Sequence, residues 1–93
     1  MTETAATNTT FNVTNGTYTY NIAGFGTGDK LVFPTAGLAT VINAVNNDGI
    51  VDVQYADAGN TVTIHLTGIA AATDATIFGS TSFNTAFGAG SLN

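Results

Sequence analysis

Asn21-Ile-Ala-Gly-Phe-Gly-Thr-Gly-Asp-Lys-Leu-Val-Phe33 is the stretch that decides how the rest of the chain is read. It carries four apolar anchors, Ile22, Phe25, Leu31 and Phe33, around a glycine-rich turn. The turn ends on Asp29, one of six acidic residues, beside the chain's only basic side chain, Lys30. Glycine at 24, 26 and 28 supplies the backbone freedom of a tight loop. Lys30–Phe33 reads as a short strand stopped by Pro34.

On the N-terminal side, Thr9–Thr14 alternates with Phe11 and Val13 on one face. Asn15-Gly16 follows, and Thr17–Ile22 alternates with Tyr18, Tyr20 and Ile22 together. Asn-Gly between two alternating runs predicts a hairpin with a type I′ turn. It would pair Val13 with Tyr18 and Phe11 with Tyr20. Residues 1–7 read as a frayed lead-in.

On the C-terminal side, Thr40–Val45 is rich in β-branched residues and reads as a strand, with a short helix from Gly37 as the alternative. Asn46–Gly49 is a turn, Ile50–Ala56 a strand and Asp57–Asn60 a turn. Thr61–Thr67 is the cleanest strand, with Val62, Ile64 and Leu66 on one side and Thr61, Thr63, His65 and Thr67 on the other. Residues 70–88 read as a short helical tail. Thr73-Asp74 is a helix start, Ser80 or Ser82 an N-cap, and Gly88 the C′ residue. Ile77, Phe78, Phe83 and Phe87 would pin this tail on the sheets. No internal repeat of fixed period is visible. The expected fold is mainly β: a single domain over 1–93, a small antiparallel β-sandwich or roll of six to seven short strands with a short helical C-terminal tail.

Bulk composition narrows the function classes. Charged residues make up only 8% of the 93 residues, against about 25% in an average chain. Thr, Asn, Ser and Gly must therefore provide the polar surface, which suits strands and turns. A net charge of −5 with one basic residue argues against nucleic acid as a partner. Cysteine is absent, so no disulfide braces the fold. No apolar run reaches the length of a membrane span, and the start of the chain has no signal-peptide pattern. Few charges also weaken the usual defence against edge-to-edge strand pairing, which leaves self-association open.

Catalysis has little to work with. His65 is the only histidine, sits mid-strand among threonines, and has no nucleophile near it in sequence. One histidine and no cysteine cannot build a conventional zinc site. The aspartates fall mostly in turns, where they usually bond their own backbone. Calcium fits such turns better, since it takes carboxylate, amide and carbonyl oxygens. The candidate ligands are Asp29, Asp48, Asp52, Asp57 and Asn60, with plain glycine turns as the competing reading. The segment Gly24–Leu31 partly matches the calcium-binding β-roll nonapeptide, with Gly24, Asp29 and Leu31 in place. Asn8, Asn12 and Asn15 head formal glycosylation sequons, which arise readily in a Thr/Asn-rich chain.

The pattern Ile22-x-x-Phe25-x-x-Gly28-Asp29-Lys30-Leu31 resembles a segment of the C-terminal regions of RTX-type proteins, which bacteria export by type I secretion. Asp48-Gly-Ile-Val-Asp-Val53 and Gly59–Gly68 are similar to runs that follow it there. Gly24 departs from the family, which has aspartate at that place. The resemblance implies an uncleaved C-terminal export signal and a secreted or cell-surface home. Its expected partners are the secretion apparatus, other surface or matrix components, and further copies of itself as oligomer or fibre. It implies no catalytic activity of its own. The expected function is thus a non-enzymatic extracellular β-domain acting as export and folding cap or as a surface subunit. The alternative is a carbohydrate-binding module stacking sugars on Tyr18, Tyr20 and Tyr55, with Asn21 and Gln54 as polar partners.

Overall fold

The computed structural model describes residues 2–35, 37–43 and 48–92. The end of the expected strand beyond Asn43, and Asn46 and Asn47 of the following turn, lie outside them. The strands are β1 (Thr2–Thr4), β2 (Thr10–Asn12), β3 (Thr17–Ala23), β4 (Lys30–Val32), β5 (Ala39–Val41), β6 (Val51–Asp57) and β7 (Asn60–Thr67). Two helices follow, α1 (Ala71–Asp74) and α2 (Ser80–Phe87). The protein is mainly β, with a five-stranded sheet in the order β1-β3-β7-β6-β5 and a two-stranded sheet of β2 and β4.

The larger sheet is mixed and the smaller one parallel, where antiparallel pairing was expected. β1, β3 and β7 run parallel to one another, as do β2 and β4. Only β5, β6 and β7 are joined antiparallel. The first four strands alternate between the two sheets, so the chain winds as a coil and each strand lies beside its equivalent from the next turn. Thr2 stands across from Asn21, and Phe11 across from Leu31.

The expected Asn15-Gly16 hairpin does not form, since β2 and β3 belong to different sheets. A type I′ turn needs positive φ at both central residues. Gly16 has φ 154°, but Asn15 is not among the positive-φ residues. The Gly16 carbonyl instead accepts the Thr61 amide at 2.9 Å. Phe11 and Tyr20 do meet, edge to face with ring centroids 6.2 Å apart, but across the core and not along a ladder. The competing pairing is stronger: β3 lies in register with β7 over its full 7 residues. That ladder puts Ile22 against Leu66 and Tyr20 against Ile64, on the apolar side. The type I′ geometry appears elsewhere, at Ala58 (φ 48°) and Gly59 (φ 88°), where β6 turns into β7.

Register also exposes a repeat. Thr17-Tyr-Thr-Tyr-Asn-Ile-Ala-Gly-Phe25 lies along Thr61-Val-Thr-Ile-His-Leu-Thr-Gly-Ile69, and both glycines turn out with φ near +70°. Ala6–Val13 and Gly26–Phe33 form a second matching pair. Unequal spacing hides these repeats, because a hairpin and a loop are inserted between β4 and β7. A third level exists in the smaller sheet as well. Leu92 bridges Leu31 in parallel, and the Leu31 amide donates to the Ser91 carbonyl at 2.8 Å.

Thr2–Thr4, expected to fray, is a paired edge strand. In the tail, Asp74 closes α1 where a helix start was expected. Gly79 is the N-cap of α2. Ser82 Oγ accepts the amides of Phe78 and Gly79, each at 3.0 Å, and so holds the helix start from inside. Ile77, Phe83 and Phe87 are buried as expected, but Phe78, just before the cap, is 78% exposed. Phe25, Phe83 and Phe87 form an aromatic cluster with centroids 4.8–5.9 Å apart. All buried apolar side chains, from both sheets and the tail, join one core.

Candidate functional site

The two ends of the coil stack differ. On one side β7 is followed by antiparallel β6 and β5, and β4 is covered by Ser91 and Leu92. Asn84 holds that covering segment: its Oδ1 accepts from Ser91 Oγ at 3.0 Å and from the Leu92 amide at 2.9 Å. On the other side β1 and β2, one in each sheet, have no further strand beside them among the described residues.

Between the coils, two turns lie one on the other. In the inner turn Asp29 Oδ2 accepts the Gly26 amide at 2.8 Å. In the outer turn Thr9 Oγ1 accepts the Ala6 amide at 3.0 Å, the same i to i+3 bond. Asp29 has a second oxygen, and Oδ1 accepts the Thr9 amide of the outer coil at 2.8 Å. The Lys30 amide returns a bond to the Thr9 carbonyl at 2.9 Å. Gly28, at φ 93°, lies under Asn8, and a Cβ there would overlap Asn8 Oδ1. The positive φ at 28 favours glycine, and a Cβ there would also push the Asn8 side chain aside. Asp29 is only 3% exposed and acts as a staple within and between coils.

The other expected calcium ligands are dispersed. Asp48 is exposed and accepts the Ile50 amide at 3.0 Å. Asp52 lies on the outer face of the large sheet. Asp57 Oδ2 accepts from Thr35 Oγ1 and the Tyr55 hydroxyl, and Asn60 Nδ2 donates to the Asp57 carbonyl across the same turn. Only Asp57 and Asn60 are brought together. Among the described residues, no group of three or more His, Asp or Glu side chains stands close enough to hold a metal ion.

The glycan-binding set is divided. Tyr55 is fully buried, stacked on Phe33 at 5.1 Å, and has no face to offer a sugar. Tyr18 and Tyr20 lie in rows with Val62 and Ile64, on the core side of the sheet. Burial first, then the nearby Glu3 carboxylate, raises the Tyr20 phenol above its ordinary pKa. Gln54 pairs with Thr63 on the opposite, outer face.

That outer face carries Thr17, Thr19 and Asn21 beside Thr61, Thr63 and His65. His65 Nδ1 lies within hydrogen-bond reach of Asp52 Oδ1 across β7 and β6. No hydroxyl among those residues hydrogen-bonds its ring. A shallow cavity of about 200 Å³ opens between the Gly26 turn, the Gly68–Ala70 loop and the helices. Phe25, Ile69 and Phe87 line it with Thr27 and Thr73, and no titratable group does.

Sequence reading missed Glu3, Thr9, Asn84 and Asp74. Asp74 is fully buried, accepting from Asn43 Nδ2 at 2.6 Å and the Gly49 amide at 3.0 Å. The signal for Thr9 was present in the match of Ala6–Val13 to Gly26–Phe33. Comparison with known proteins finds no matching family model, curated protein or solved structure.

Proposed function

We propose that the protein is a non-enzymatic, extracellular or cell-surface β-module of the RTX-like, type I-secreted kind, and that it closes the end of a parallel coil stack. One observation carries this reading: the stack is covered on the side of β7 and β4 and open on the side of β1 and β2. A coil arriving at the open side extends both sheets at once through backbone bonds, as strand addition does elsewhere. On the other side antiparallel β6 and β5 end the parallel series of the large sheet and Leu92 lies against β4, so a parallel coil extending both sheets fits the side of β1 and β2.

Two further features support it. The segment that resembles RTX-type proteins, Ile22–Leu31, spans the inner turn, where coils are joined. Asp29 makes that joint with backbone amides alone. The only histidine is held by Asp52 on a strand face, away from the cavity lining.

The test is a fusion. A parallel-coil repeat segment that is unfolded alone is joined ahead of Thr2, with and without Glu3→Val. Circular dichroism and amide exchange are read in chelator and in millimolar calcium. The expected result is β-structure and exchange protection in the added coils. Added coils that stay unprotected in every condition overturn the reading.

A further inference from the structure

Among the described residues the open end carries a single charged side chain, and its position is unusual. β1 reads Thr-Glu-Thr, β2 reads Thr-Phe-Asn, and residues 5–9 between them are uncharged. Residues directly across parallel strands share a face. Glu3 stands across from Ile22, and Ile22 across from Leu66, both with no exposed surface. Glu3, exposed at the edge, therefore stands at the open end of the core-facing row, where the next two coils have aliphatic side chains. The Tyr20 phenol, on the same face, feels its carboxylate.

An edge strand with free amides and carbonyls accepts almost any other strand, and inward-pointing charges are one way proteins prevent it. A strand docked on β1 would seal Glu3 into the apolar row. An ionised carboxylate buried without a cation costs far more than one short ladder returns. Lys30, the only basic side chain, begins β4, one strand inward from the open edge.

We infer that Glu3 selects the partner of the open end: it excludes a second copy of this chain, which brings another glutamate, and admits a strand that sets Lys or Arg opposite it. The inference rests on the open end being a docking edge, as proposed above. It gives that edge a chemistry. Acidic or uncharged strands are turned away, and assembly of the chain with itself is held off by a like charge on each copy.

Charge-swapped copies test this directly by sedimentation velocity. Wild type and Glu3→Lys should each be monomeric. An equimolar mixture should form a 1:1 dimer with a Kd at least about tenfold below that of either alone. Glu3→Val, which continues the Ile22 row, should self-associate. In both dimers, amide exchange should slow at β1 and β2. The inference is overturned if the mixture and Glu3→Val stay monomeric, if wild type self-associates as tightly as Glu3→Val, or if protection falls on β5. The cap reading fails separately: added coils that stay unfolded with Glu3→Val remove the cap while a mixed dimer keeps this inference. Added coils that fold equally well with Glu3 intact do the reverse.

Discussion

The turns Ala6–Thr9 and Gly26–Asp29 occupy equivalent places in successive coils, and the side chain at the last residue of each is used differently. Each side chain closes its own turn by accepting an amide three residues back. Threonine has one oxygen and turns it back on Ala6, whose carbonyl also accepts the Thr9 hydroxyl at 2.9 Å. Aspartate has two oxygens in fixed geometry, so one closes the turn and the other reaches the coil outside it. One carboxylate thus does both jobs, and the stack is stapled where it has an Asp and left open where it has a Thr.

The largest effect should come from removing that staple. Asp29→Ala leaves the Thr9 and Gly26 amides without acceptors in a nearly dry site. Each such loss costs about 1–3 kcal/mol, so a total of about 3 kcal/mol is expected. In a domain of this size that lowers the thermal midpoint by more than about 10 °C. Asp29→Asn, with one acceptor left, should lose roughly half as much. The loss should be equal in chelator and in millimolar calcium. A loss that appears only with calcium would make Asp29 a metal ligand and remove the staple.

Next in size is the contact between the turns. Gly28→Ala puts a side chain at positive φ, worth about 1–2 kcal/mol, and drives its Cβ into Asn8 Oδ1. Asn8→Gly in the same background should return the overlap part and leave the conformational part. If the double variant is no more stable than Gly28→Ala, the turns are not in the contact described.

Strand positions were legible in the sequence and strand partners were not. Alternation in Thr17–Ile22, Val51–Tyr55 and Thr61–Thr67 marks which residues face the core, and each run forms a strand. Alternation is the same whether a strand pairs in parallel or antiparallel, so it could not tell β7 from β2 as the neighbour of β3. The local turn signal then filled the gap and pointed the wrong way. At the candidate site, Asp29 was legible as a special residue because of its glycines. Its partner Thr9 lies twenty residues away, a separation set by the coil. Glu3 looked like a loose terminal residue because burial rows become visible only when strands are in register.

The smallest effect concerns the two turn sequences that traded places. Asn15-Gly16 has the residues of a type I′ turn and joins two sheets, while Ala58-Gly59 has the conformation and an alanine in it. Alanine at φ 48° has a Cβ close to the following carbonyl, a strain that asparagine relieves by local hydrogen bonding. Ala58→Asn should therefore stabilise the domain, by about 0.5–1 kcal/mol. Asn15→Ala should change stability by less than about 0.5 kcal/mol, since Asn15 is exposed and its φ is not positive. Equilibrium unfolding in urea resolves both. If Asn15→Ala is the costlier change and Ala58→Asn gives nothing, the first turn is a tight hairpin after all. β2 would then have to leave β4, and the coil that begins the stack would not exist.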